Sequence, residues 1–137
     1  MLKIYTDAAT KGNPGPSGVG IVISGPKQLY QQLAIPLKEN CSNHEAEFQA
    51  LLIALQHIEK QHLLTETVMI YTDSKIVANS VERNYAKNDQ FATYLKPIHH
   101  ILNQIELSFI NWIPEAQNKG ADHLARQALQ LKLKEKA

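Results

Sequence analysis

The sequence predicts an α/β fold, a mixed β-sheet with helices on its faces, on three observations. Strand-length apolar runs open the chain at residues 2–7, 19–23 and 29–37, with Gly- and Pro-bearing turns between them. After residue 42, helical and strand patterns alternate. The tripeptide Tyr-Thr-Asp occurs twice, at Tyr5-Thr6-Asp7 and Tyr71-Thr72-Asp73, each time closing a strand-like run.

Taken in order, Leu2-Lys3-Ile4-Tyr5-Thr6-Asp7 has strand character, and the Gly12-Asn13-Pro14-Gly15-Pro16 segment after it forces a loop. Residues 19–23 are apolar throughout, as in a strand buried on both faces. Residues 29–37 carry Gln31 and Gln32, which suits an outer strand. These three strands form an antiparallel meander. Ser42 or Asn43 caps the first helix, Glu45 supplies an acid in its first turn, and Phe48, Leu51, Leu52, Leu55 and Ile58 form its apolar stripe. Glu47 lies at the edge of that stripe, a costly place for a carboxylate without a use.

Residues 67–72 form a compact strand, reached from a helix as in parallel sheets. Asp73-Ser74 starts a helix that packs through Ile76, Val77 and Val81, and residues 84–89 make a polar break. Phe91, Tyr94, Leu95, Ile98, Ile101 and Leu102 mark a third helix that Pro97 should kink or split. Residues 107–113 are the fifth strand, with Trp112 expected in the core, and Pro114 stops it. Asn118 caps a last helix packed through Ala121, Leu124, Ala125, Ala128 and Leu129, and residues 132–137 form a charged, frayed tail.

At 137 residues the expectation is one domain over 1–137, large enough for a proper core. The net charge of +1 advertises no polyanionic partner, so any nucleic-acid affinity must come from local Lys and Arg. The single Cys41 excludes an internal disulfide and reads as a small buried or loop thiol. No signal peptide opens the chain, and no apolar run approaches the ~20 residues of a membrane span. The expectation is a cytoplasmic protein without membrane contact, and a monomer.

Four acids hold privileged places: Asp7 and Asp73 at strand ends, Glu47 at the start of the first helix, and Asp122 in the first turn of the last. Singly, Asp73 can cap a helix, Asp122 can favour a helix dipole and Asp7 can start a turn. Together, with two at neighbouring strand ends, they are more economically read as a shared site for hard cations. Carboxylates without His or Cys suit Mg²⁺ or Mn²⁺. Two such ions roughly 3.5–4 Å apart form the arrangement that cleaves phosphodiesters.

Asp7 with Gly12-Asn13-Pro14-Gly15-Pro16, Ser42-Asn43-His44-Glu45-Ala46-Glu47, Thr72-Asp73-Ser74 and Asn118-Lys119-Gly120-Ala121-Asp122 together resemble the ribonuclease H family, type 1, in a short form without a basic protrusion. The resemblance runs nearly the whole chain in order. It implies an RNase H-like fold with strand order 3-2-1-4-5. It also implies endonucleolytic cleavage of the RNA strand of RNA–DNA hybrids with two Mg²⁺ ions, or Mn²⁺ in their place, leaving 3′-hydroxyl and 5′-phosphate ends.

By the same resemblance Asp7, Glu47, Asp73 and Asp122 are the metal-binding acids. Gly12, Asn13, Ser42, Asn43 and His44 are the candidate substrate contacts: the glycine loop against RNA sugars, Ser42 where a DNA-strand phosphate is held, Asn43 just before the helix. His44 stands where a second Asn is common. Family members often carry a His in the loop before the last helix. Here residues 114–117 hold none, and His123, next to Asp122, points about 100° away around the helix. Glu115 is the candidate to assist product release or deprotonation in its stead. Around residues 84–90 only Arg83 and Lys87 replace the basic handle of some relatives, which predicts weak, salt-sensitive binding. Two alternatives stand beside this reading: a weakly active or inactive nucleic-acid-binding module, and a nuclease for another duplex.

Overall fold

The computed structural model describes residues 1–64 and 67–135. Its sheet has five strands: β1 (Leu2–Thr10), β2 (Ser17–Ser24), β3 (Tyr30–Pro36), β4 (Val68–Thr72) and β5 (Ser108–Trp112). Their order is β3-β2-β1-β4-β5, with β1, β2 and β3 antiparallel and β4 and β5 parallel to β1 and to each other. The meander and the outer place of β3 follow the sequence expectation. β1 and β4 pair in a register that sets Tyr5 beside Tyr71 and Thr6 beside Thr72. The repeated Tyr-Thr-Asp is therefore one row of the sheet written twice, and the Tyr5 and Tyr71 rings stack at 4.7 Å.

Four helices complete the chain: α1 (Asn43–Lys60), α2 (Lys75–Arg83), α3 (Asp89–Leu102) and α4 (Lys119–Glu135). Side chains alternate across a strand, so Leu2 and Ile4 of β1 share a face with Ile21 and Ile23 of β2. That face packs on Phe48, Leu51, Leu55 and Ile58 of α1, backed by Leu95, Ile98 and Ile101 of α3. The opposite face takes α4. A Cβ on Gly20 would lie 2.0 Å from the Ala121 carbonyl oxygen, so only a residue without a side chain admits the helix so closely.

Four expectations are corrected. α3 runs unbroken through Pro97. Ile76 faces outward rather than into the α2 packing side, which is made by Val77, Ala78 and Val81. Trp112 is 44% exposed and not core, because it ends β5, an edge strand. The last helix extends to Glu135, so residues 132–135 are helical where a frayed tail was expected, and 136–137 lie outside the described residues. Cys41 is buried, as expected, and burial pushes its thiol up. Among the described residues no helix is long and apolar enough to cross a membrane.

Candidate metal centre

Asp7 and Asp73 each follow one of the paired threonines, so the sheet register alone delivers them side by side. Glu47 comes from α1, one turn past the cap at Ser42, whose Oγ accepts from the Glu45 backbone N–H. Oxygens of Asp7, Glu47 and Asp73 all lie within 4.8 Å of one another. Their cleft of about 370 Å³ is also lined by Asn43, His44, Lys75, Ile76 and Glu115.

Burial and crowding raise the pKa of two of the three. Asp7 is 6% exposed, and its pKa is raised to about 7, first by burial and then by the Asp73 charge. The Ala8 backbone N–H donates to Asp7 Oδ1 at 2.9 Å and offsets part of this. Glu47 is pushed well above the usual carboxylate range, again by burial first and then by Asp7 and Asp73. Its Oε1 is buried without a hydrogen-bond partner. A buried, unpaired acceptor is expensive unless something else meets it. An all-oxygen donor set, a crowded charge and an orphaned oxygen fit a hard divalent cation.

Asp122 stands apart from this triad. It lies in the first turn of α4 and accepts from Arg126 Nε at 3.2 Å, although its charge still reaches Asp7 and helps to raise it. Asn118 does more than its sequence position suggested. Its backbone oxygen accepts from Asp122 N–H as a helix cap would, but its side chain turns inward. Nδ2 donates to the Thr6 carbonyl at 2.9 Å and approaches Asp73 Oδ2 at 3.4 Å, tying β1 to β4 where the acids emerge. Its Oδ1 is buried and unpartnered. Its place in the Asn118–Asp122 segment was the only sequence signal for it, and that segment also reads as an ordinary cap.

The loop candidates gather beside the triad. Gly15 and Cys41 exchange backbone hydrogen bonds of 3.0 Å, which joins the loop after β1 to the segment before α1. Asn13 Oδ1 accepts from the Asn43 backbone N–H at 3.0 Å, so this side chain braces the start of α1. Gly12 adopts φ +85°, a left-handed conformation that suits glycine. Gly12 and Asn13 are exposed outside the cleft lining, whereas Asn43 and His44 line it. His44 meets Phe91 edge-on at 5.8 Å. Glu115 lies in a short 3₁₀ turn, Glu115–Gln117, and reaches the cleft wall. Lys75 and Trp112 were not singled out as site residues. Trp112 Nε1 donates to the Asp73 backbone oxygen at 3.0 Å, and Lys75 Nζ lies 4.9 Å from the Trp112 ring centre.

A family model described as Reverse transcriptase-like matches residues 5–128. The chain is 51% identical over 130 residues to EbsB of Enterococcus faecalis, provisionally named a hydrolase, with 95% of both chains covered. It is 32% identical over 120 residues to a ribonuclease H of Wigglesworthia glossinidia brevipalpis, covering 81% of this chain and 73% of the relative. Other ribonucleases H match over 86 residues, about half of their own length. Among solved structures, LC11-RNase H1 in complex with an RNA/DNA hybrid superposes with a TM-score of 0.87 at 27% identity, over 97% of this chain and 99% of that one. The matched model, these likenesses and the sheet order agree, and the chain belongs to the ribonuclease H family.

Proposed function

We propose that this chain is an endonuclease that hydrolyses the RNA strand of RNA–DNA hybrids with divalent metal ions, leaving 3′-hydroxyl and 5′-phosphate ends. The observation that carries it is the triad of buried Asp7 with half-buried Glu47 and Asp73, and its orphaned Glu47 Oε1. The donor chemistry suits Mg²⁺, with Mn²⁺ as a substitute. When bound, a pair of such ions activates an attacking water and offsets charge on the phosphate and leaving oxygen.

The residues divide the remaining work. Asp7, Glu47 and Asp73 would hold the ions, and Asn118, bonded to the Thr6 carbonyl and close to Asp73 Oδ2, fixes the separation of the two aspartates. Asp122 would supply a fourth carboxylate, its present contact with Arg126 being an exposed pair worth little by itself. Asn43 and His44 line the approach to Glu47 and are the substrate contacts nearest the acids. Gly12, Asn13 and Ser42 shape that approach, and the glycine conformation lets the backbone come close to RNA sugars. Glu115 takes the place of a loop histidine in moving a proton or releasing product, a role supported by its position on the cleft wall. If Glu115→Gln turns over at the wild-type rate, Glu115 has no such role.

Matched RNA–DNA, RNA–RNA and DNA–DNA duplexes, offered with Mg²⁺ or Mn²⁺, test the main reading. Cleavage confined to the RNA of the hybrid is expected. Asp73→Asn should lower it by about 10²–10³-fold, a loss typical for a residue that organises transition-state charge. Binding without cleavage of any duplex would instead identify a binding module, the reading that the absent loop histidine favours. Cleavage of another duplex would change the substrate class.

A further inference from the structure

We propose that Lys75, held on the face of Trp112, binds a backbone phosphate of the nucleic-acid strand that lies across the metal site. The inference rests on the reading above and adds a residue and a contact to it.

Trp112 is the last residue of β5 and the register partner of Thr72. Its exposed indole is pinned by the Nε1–H bond to the Asp73 backbone oxygen, so the ring is fixed relative to a metal-binding acid. Lys75, two residues beyond Asp73, lays its ammonium over that ring. It lines the same cleft as Asp7, Glu47, Asp73 and Glu115. Yet among the described residues it forms no ion pair with any carboxylate. A flexible lysine surrounded by acids would ordinarily pair with one. Here the indole face offers an attractive seat that leaves the ammonium's donors open.

The missing partner is an anion, and the site chemistry names it. A lysine is a compact point charge well suited to phosphate. A cleft of acids repels a polyanion, and a chain of net charge +1 has no long-range field to overcome that repulsion. A cation fixed beside the acids supplies the attraction locally. Ile76, exposed next to Lys75 and on the same wall, offers an apolar surface for the sugar between two phosphates.

The test is hybrid binding by fluorescence anisotropy, using a short labelled RNA–DNA hybrid in EDTA so that no cleavage intervenes. Wild type should weaken with salt more steeply than Lys75→Gln, by one phosphate's worth, or roughly three- to fourfold over a fourfold rise in salt. Lys75→Arg should keep the wild-type slope. In Mg²⁺, Lys75→Gln should raise KM and change kcat little. Replacing single phosphates by neutral methylphosphonates, in the RNA strand and then in the DNA strand, should find one position that weakens wild type but not Lys75→Gln. That position tells which strand is held. Equal salt slopes for wild type and Lys75→Gln would overturn the proposal while leaving hybrid cleavage by wild type intact. A wild type that neither binds nor cleaves the hybrid would overturn the underlying reading, and this contact with it.

Discussion

Glu47 shows how a single residue can be wrong for stability and right for a site. It is a carboxylate on the edge of an apolar helix face, crowded by two others and with one oxygen unsatisfied. Glu47→Gln keeps the shape and removes the charge. Without metal at pH 8 the variant should be more stable than wild type by about 1 kcal/mol, the usual scale of gain when a functional residue is relaxed. At pH 3.5, below the ordinary value of 4.5, the folded and unfolded chains both hold the Glu47 proton and the difference should vanish. Denaturant unfolding in EDTA at both values measures this, and equal stabilities at pH 8 would show that the carboxylate is not strained. Asp7, Asp73 and Glu47 were legible in the sequence because strand ends and a helix stripe announce their own geometry. Asn118 was not. The same residue at the same spacing makes an ordinary cap, and only the return of α4 over β1 and β4 turns its side chain toward Thr6 and Asp73.

At the scale of elements, what holds the candidate metal centre together is the fit of α4 against the sheet. Gly18 and Gly20 of β2 lie under Ala128 and Ala121, and α4 carries Asp122 and follows Asn118. Gly20→Ala places a Cβ against backbone atoms, which cannot rotate away as a side chain would. The helix must shift, at a cost of about 1–3 kcal/mol by analogy with overpacked cores. Gly120→Ala is the control. Its Cβ would meet Val22 Cγ2 at an ordinary 3.5 Å, and alanine favours a helix. Thermal melts should therefore move down for Gly20→Ala and stay level or rise for Gly120→Ala. A harmless Gly20→Ala would mean that α4 does not dock as tightly as described. Strand and helix sites were readable from apolar period and turn residues, whereas the full strand order came only with the family resemblance. The exposure of Trp112 and Ile76 was not, since alternation tells which way a side chain faces and not whether another element covers it. Pro97 misled for a related reason: a helix packed along α1 can keep its course through a proline that an isolated one would not tolerate.

For the whole molecule, folding and protonation are linked through the acids, and the proposed divalent ion would join the same equilibrium. The Asp7 carboxyl has the ordinary value of 3.8 in the unfolded chain and is raised to about 7 by burial and the Asp73 charge in the folded one. Below the lower value both states carry the proton and the site costs nothing. Between the two, the unfolded chain releases its proton while the folded one keeps it, so the folded state loses stability as pH rises. Above about 7 the loss is complete, and Glu47, raised in the same direction, adds to it. A divalent cation reverses the balance, because it binds only the deprotonated carboxylates and displaces their protons. Mn²⁺ should therefore raise the melting temperature little at pH 6 and more at each step to pH 8, with proton release on binding. Calorimetry in EDTA and in Mn²⁺ at pH 6, 7 and 8 reads both effects. A metal-induced shift independent of pH would mean that the ion does not sit among Asp7 and Glu47. A growing shift would tie the energetic strain in the empty triad directly to the ion that relieves it.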